Sequence, residues 1–127
     1  DAAILLNNRG KIAEGQGMCI FLIRDGVAIT PSVTSDILES ITRDTVIQLF
    51  EGMGVEVQQR DVDRSELYVA EEAFFCGTGW EITPINMVDG ARIGYGSPGT
   101  LTHQIQGVYF NLVFGRSTDQ WSWVTTV

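Results

Sequence analysis

Six consecutive apolar residues, Met18-Cys19-Ile20-Phe21-Leu22-Ile23, form the longest uninterrupted apolar run of the chain, and Asp25-Gly26 follows one residue after it. The run is far too short to cross a membrane, and it has no polar member to turn toward solvent. It reads as a strand buried on both faces. Asp-Gly between two apolar segments is the signature of a two-residue hairpin, so Val27 to Thr30 is expected to return antiparallel. A chain of 127 residues, 44% apolar and 19% charged, has room for one hydrophobic core around that hairpin.

The rest of the chain supplies both strands and helices. Ala2 to Leu6 reads as a short strand ended by Asn7-Asn8-Arg9-Gly10; Lys11 to Ala13 resumes the extended chain until Glu14-Gly15-Gln16-Gly17 breaks it. Pro31 to Glu39 reads as a loop. The period then changes: Val46, Leu49, Phe50 and Met53 predict a helix from about Ile41, stopped by Gly52-Met53-Gly54. Val55-Glu56-Val57 opens another strand. Asp63-Arg64-Ser65-Glu66 has capping-box spacing ahead of a brief helix over Leu67 to Ala70. Ala73 to Cys76 is strand again, Gly77-Thr78-Gly79 a turn, and Trp80 to Val88 alternates up to a hairpin turn at Asp89-Gly90. Pro98 is expected to start the last long helix, with Leu101, Ile105, Val108, Leu112 and Val113 on its apolar face. Trp121 and Trp123 are expected to clamp the tail. The fold class is α/β with a mixed sheet.

Eight basic against sixteen acidic residues give a net charge of −8. That field repels phosphate backbones and anionic lipid, so neither nucleic acid nor a membrane is expected as a partner. Two cysteines, Cys19 and Cys76, lie in apolar strands and are expected to be buried, reduced thiols of an intracellular, cytoplasmic protein. With one lysine, Lys11, and one histidine, His103, a zinc site or a histidine-dependent triad has little to draw on, and no metal site is expected. His103 reads as a surface residue beside Thr102, Gln104 and Gln106.

Four features could carry chemistry. Gly94-Tyr95-Gly96-Ser97-Pro98-Gly99 matches a dinucleotide fingerprint, with Asp119 twenty residues past its last glycine. The required strand-helix-strand context is absent, so a glycine-rich turn into a helix is the better reading. Ser40-Ile41-Thr42 stands where a loop becomes a helix. Free N–H groups, the helix dipole and two hydroxyls could hold a phosphate there, with Gly77-Thr78-Gly79 as a second wall; a plain helix cap accounts for the same residues. Glu14, just ahead of two glycines, is either solvated or a carboxylate aimed at a ligand. Arg43 either pairs with Asp44 or helps an anion.

Taken together, these segments resemble one family. Ala13-Glu14-Gly15-Gln16-Gly17, Ile20-Phe21, Thr30-Pro31 and Ile41-Thr42-Arg43-Asp44 are similar to the larger, C-terminal domain of fold-type IV aminotransferases. Leu67 to Glu72, Phe74 to Thr78 and Glu81 to Ile85 continue the match in the same order. Branched-chain amino-acid aminotransferases fit best, ahead of D-amino-acid aminotransferases and aminodeoxychorismate lyases; a binding protein that kept only the fold is the alternative of another class. The resemblance implies a mixed sheet curled into a barrel-like layer and pyridoxal 5′-phosphate (PLP) as cofactor. It further implies amino-acid and 2-oxo-acid substrates (branched-chain L-amino acids with 2-oxoglutarate) and a homodimer or higher homo-oligomer. Glu14 then corresponds to the carboxylate on the pyridine nitrogen, Leu38 to the residue packed on the ring, and Ser40, Ile41, Thr42 and Thr78 to the phosphate site. The N–H groups of Thr78 and Gly79 correspond to those that receive the substrate carboxylate.

The departures from the family are specific. Ser40 replaces a usual glycine, Met18-Cys19 replaces a common Glu-Asn pair, and Trp80 stands where a small residue is common, either narrowing the pocket or packing behind it. The family lysine that forms the Schiff base, the phosphate-binding arginine and the small N-terminal domain are expected upstream of Asp1. Residues 1–127 therefore read as a cofactor-binding domain, inactive in isolation and partnered by the N-terminal domain of the same protein.

Overall fold

The computed structural model describes residues 1–96, 98–117, 122, 123 and 125. The chain begins with β1 (Ile4–Leu6), β2 (Ile12–Gly15), β3 (Cys19–Arg24) and β4 (Val27–Pro31). It continues through α1 (Ile41–Gly52), β5 (Val57–Arg60), α2 (Glu66–Val69), β6 (Glu72–Gly77) and β7 (Glu81–Pro84). A ribbon of β8 (Met87–Val88) and β9 (Ala91–Arg92) precedes α3 (Thr100–Val113). Five strands form a mixed sheet in the order β5-β4-β3-β6-β7, with β4 and β5 parallel and the other pairs antiparallel. The sheet ends at β5 and β7 and does not close on itself among the described residues; β1 and β2 form a separate ribbon.

β3 is the centre of this arrangement and is covered on both faces, as its unbroken apolar sequence requires. Cys19, Phe21 and Ile23 point to the side of α1 and α3, where they meet Phe74 and Cys76 of β6. There Phe21 stacks on Phe74 at 5.2 Å, and Phe50 of α1 lies 6.1 Å from each ring. Ile20 and Leu22 point to the other side, into a second core with Ile12, Val62, Leu67, Phe75 and Ile93. Asp25 and Gly26 close the hairpin with φ of 50° and 74°, the left-handed pair of a two-residue turn.

One donor in the hairpin ladder is missing, and a side chain replaces it. The register pairs Leu22 with Ile29 and Arg24 with Val27, and its continuation sets Pro31 opposite Ile20. Proline has no N–H to give. The hydroxyl of fully buried Thr30 instead donates to the Ile20 carbonyl at 2.8 Å.

The two long helices start differently. Ser40 caps α1, its Oγ accepting the Arg43 N–H at 3.2 Å. α3 begins at Thr100, two residues after Pro98, with Gly99 as a cap residue that has no side chain to offer. Glu72 of β6 does the capping from across the domain: its carboxylate accepts the N–H groups of Leu101 (3.1 Å) and Thr102 (2.7 Å) and the Thr102 hydroxyl (2.6 Å). A Cβ on Gly99 would fall 2.0 Å from Glu72 Cδ, and one on Gly94 would fall 2.0 Å from the Glu71 carbonyl oxygen. Close approach to Glu71 and Glu72 thus accounts for those two glycines of the fingerprint-like segment, and a carboxylate already fills the anion-binding end of α3. Ser97, Asp119 and Trp121 lie outside the described residues.

Several boundaries differ from the sequence pattern. The strand expected from Val55 begins at Val57, where parallel pairing with β4 starts. Trp80 to Val88 is two strands, because β7 ends at Pro84 and Met87-Val88 pairs with Ala91-Arg92 in its own ribbon. Thr102 and Gln106, read as members of a polar face, turn inward: Thr102 onto Glu72 and Gln106 onto the Ile82 carbonyl at 2.9 Å.

Beyond the sheet, Glu66 at the start of α2 joins Arg60 (2.7 Å) and Arg24 (3.0 Å), and its other oxygen accepts the Asp63 N–H at 3.0 Å. Hydrogen bonding from Arg60 leads the causes that pull the Glu66 carboxyl from 4.5 down to about 2, against a smaller opposing push from burial.

Two predictions follow from these bonds. Thr30→Val keeps the shape of the side chain but leaves the Ile20 carbonyl unpaired, and should cost about 1–3 kcal/mol, read as a lower urea midpoint. Because the folded carboxyl of Glu66 titrates below the unfolded one, its stabilisation is complete above pH 4.5 and disappears as pH falls toward 2. Glu66→Gln should therefore cost about 1–2 kcal/mol at pH 7, after allowing for solvent around the arginines, and almost nothing near pH 2.

Candidate functional site

Three segments meet where β2 and β6 end and β3 begins. The Glu14–Gly17 turn crosses beside Gly77, so closely that a Cβ there would meet the Gly17 carbonyl at 3.2 Å. Cys19 and Cys76 are register partners in the adjoining strands. The third segment, Leu38 to Thr42, leads into α1 and is gripped at Leu38. Its N–H donates to Glu14 Oε2 at 2.9 Å, and its carbonyl accepts from Cys19 Sγ at 3.8 Å. Both polar groups of one residue are thus fixed, while its side chain stands 71% exposed. Glu14 Oε1 has no hydrogen-bond partner among the described residues.

Beyond the bracket lie free donors. The first turn of any α-helix leaves N–H groups without intrahelical acceptors. Ser40 satisfies that of Arg43, and those of Ile41 and Thr42 have no acceptor among the described residues. Ile41 is 87% exposed, so this helix end opens outward instead of packing on the core. It borders a groove of about 580 Å³ between α1 and α3, lined by Ile41, Thr42, Tyr109 and Trp123 among others. Thr78 and Gly79 lie exposed in the turn from β6 to β7, and their N–H groups likewise have no acceptor among the described residues.

Charge is distributed unevenly around these donors. Arg43 forms no ion pair with Asp44, which instead accepts from Gln48 at 2.7 Å. It is 5% exposed, its Nη2 donating to the Pro31 carbonyl (2.8 Å) and to Gln59 Oε1 (2.9 Å). No carboxylate pairs with it among the described residues, and its buried Nε has no partner. Burial pushes the Cys19 thiol above its ordinary value, and the Glu14 carboxylate adds to the push, while Arg43 and Ser40 oppose it. Burial raises Cys76 as well, so both cysteines are protonated thiols at neutral pH. They are not placed for a disulfide. Ile85 donates to Ala73, which turns the hydrogen bonds of residues 73, 75 and 77 toward β7 and that of Cys76 toward Cys19. Such a hydrogen-bonded pair holds its Cβ atoms about 5.5 Å apart, against about 4 Å across a disulfide.

Glu14, Leu38, Ser40, Ile41 and Thr42 therefore come together, with Thr78 and Gly79 on the adjoining turn. Trp80 leaves this group. Its ring packs on Phe75 at 6.3 Å and lines a separate cleft of about 810 Å³ with Ile4, Pro84 and Met87. Lys11 is held by Asp63, and His103 is exposed on α3. No cluster of metal-binding side chains occurs among the described residues. Sequence reasoning missed the burial of Arg43, because Asp44 beside it suggested a surface pair. It also missed Tyr109, although the spacing from Ile105 to Tyr109 places both on one helical face.

Comparison with known proteins places the chain in one family. The model of the family described as amino-transferase class IV matches residues 1–88, and the chain belongs to that family. A probable branched-chain-amino-acid aminotransferase of Aquifex aeolicus is 48% identical over 128 residues, covering all of this chain and 41% of that protein. The crystal structure of the Escherichia coli branched-chain amino acid aminotransferase superposes with a TM-score of 0.95 at 42% identity, over 98% of this chain and 42% of that one. The PLP-bound form of the Thermobaculum terrenum enzyme of the same name gives 0.89 at 53% identity, over 92% and 38%. The chain thus spans about two fifths of the length of the relatives it matches.

If the bracket holds as described, Glu14→Ala should release the Leu38 amide. Hydrogen exchange at that amide should quicken by about tenfold or more while the amides of β3 keep their protection.

Proposed function

We propose that residues 1–127 are the C-terminal, cofactor-binding domain of a branched-chain amino-acid aminotransferase that uses PLP. The observation that carries this reading is the hydrogen bond from the Leu38 N–H to Glu14 Oε2, made three residues before the open first turn of α1. It joins an acidic group with a free oxygen to a set of free N–H donors, and PLP has the matching ends: a pyridine nitrogen and a phosphate.

The donor set fits that cofactor. A phosphate dianion suits the N–H groups of Ile41 and Thr42, the hydroxyls of Thr42 and Thr78, and the buried positive charge of Arg43 behind them. Ser40 serves the same site through its cap, which fixes the first turn of α1. Leu38, held at both polar groups, presents its side chain to the ring. Glu14 keeps Oε2 on the Leu38 N–H and uses Oε1 to hold a proton on the pyridine nitrogen. When bound, the cofactor supplies an electron sink for electrons released at the substrate Cα. The N–H groups of Thr78 and Gly79 receive the substrate carboxylate. Trp80 packs behind this turn.

The complete protein, on this reading, adds a small N-terminal domain and the lysine that binds the cofactor, and exchanges amino groups between Leu, Ile or Val and 2-oxoglutarate. Lys11, paired with Asp63, is not that lysine. A cytoplasmic homodimer or higher homo-oligomer and a barrel-like curl of the sheet belong to the same proposal. Among the described residues, no helix is long and apolar enough to cross a membrane.

Two variants of the full-length protein test the site. Glu14→Gln should fold normally and slow transamination of Leu, Ile and Val by about tenfold or more, because a neutral amide holds the pyridinium less well. Thr42→Val should weaken PLP retention by about 1–3 kcal/mol. Unchanged turnover in the first, or a preference for D-Ala over all three L-amino acids, would remove the assignment.

A further inference from the structure

The turn from β6 to β7 contains a strained peptide and a side chain that holds it. Gly77 and Glu81 are the last paired residues, so Thr78, Gly79 and Trp80 make the whole connection. Glu81 closes it with φ of 52°, in the left-handed region that a residue with a Cβ rarely adopts. Rotating the Trp80–Glu81 peptide by half a turn would relieve that φ, and would also swing the Trp80 carbonyl to the opposite side. The Thr83 hydroxyl opposes this rotation, because it donates to the Trp80 carbonyl at 2.7 Å. The Trp80 ring anchors the same residue from its other end by packing on Phe75. Phe75, Trp80 and Thr83 all line the larger cleft, away from the bracket of Glu14 and Leu38.

The consequence falls on the two residues before Trp80. Thr78 and Gly79 are exposed, and the direction of their N–H groups depends on how this short turn is folded. A carboxylate shared by two N–H donors is held well only when both are aimed at it. We infer that Thr83 is a positioning residue for the substrate carboxylate: by holding the Trp80–Glu81 peptide, its hydroxyl fixes the turn that presents the N–H groups of Thr78 and Gly79. The inference rests on the carboxylate-site reading above and adds to it a side chain that acts through the backbone.

The test measures KM and kcat for L-leucine, together with PLP affinity, in the full-length protein and three variants: Thr83→Val, Thr83→Ser, and Thr83→Val combined with Glu81→Gly. Valine keeps the branched shape and removes the hydroxyl, whereas serine keeps the hydroxyl. Glycine accepts a positive φ without strain, so in the double variant nothing drives the peptide to rotate. Thr83→Val should raise KM about five- to tenfold while kcat and PLP affinity stay within about twofold, the pattern of a lost binding contact. Thr83→Ser should keep the original KM, and Glu81→Gly should restore most of it in the Thr83→Val background. An unchanged KM in Thr83→Val would overturn the inference. Equal losses in KM and PLP affinity would do the same, by making Thr83 merely structural. So would a raised KM that Glu81→Gly does not lower, since the strained peptide would then not be what Thr83 holds. A full-length protein that binds PLP but transaminates no branched-chain L-amino acid would remove the carboxylate-site reading itself, and this inference with it.

Discussion

β3 is buried on both faces and paired on both edges, so every polar group of its backbone must be satisfied by β4, β6 or a side chain. That requirement organises the domain. It accounts for Thr30, whose hydroxyl replaces the N–H that Pro31 lacks. It also decides where irregular structure can occur. The ladder with β6 runs along β3 from Cys19 to Ile23, and the turns at Glu14–Gly17 and Thr78–Gly79 are collected at the beginning of β3. A cluster of unpaired backbone groups can exist there because the strand ends there.

The two long helices show opposite treatments of the same physics. Each begins with N–H groups that the helix cannot satisfy and with the positive end of its dipole. At α3 the domain supplies its own anion, the carboxylate of Glu72, and that end is closed. At α1 Ser40 takes a single N–H, and those of Ile41 and Thr42 have no acceptor among the described residues and lie beside a groove. Buried Arg43, which has no carboxylate partner among the described residues, adds positive charge to the open end. A closed terminus stabilises the fold, whereas an open and positively charged one is suited to an external anion.

The acidic side of the site depends on a single contact. Glu14 is held by the Leu38 N–H, and Cys19 holds the Leu38 carbonyl, so that the carboxylate and the exposed leucine are tied together just ahead of the helix start. Met18 and Cys19, which depart from the common Glu-Asn pair, keep this bracket because a thiol can donate to a carbonyl. Trp80 departs from a small residue without crowding the bracket, since its ring lies on Phe75 toward the other cleft.

The sequence already carries the hairpin and the helix over Ile41–Gly52, because unbroken apolarity, the Asp-Gly turn and helical spacing are local signals that nothing in the tertiary structure opposes. It also marked Glu14, Ser40, Ile41, Thr42, Thr78 and Gly79, through residue types and ordered motifs. Tertiary structure alone decided which of these meet, since the contact between Glu14 and Leu38 spans 24 residues. It decided that Arg43 turns inward to Pro31 and Gln59 instead of outward to Asp44, against the local sequence, which favours the neighbouring carboxylate. It split Trp80–Val88 into two strands, because alternation along a chain carries no information about which neighbour will pair with it. And it gave Glu72 to the start of α3, a cap that no helix signal could announce because the capping residue lies on a strand 28 residues before Thr100.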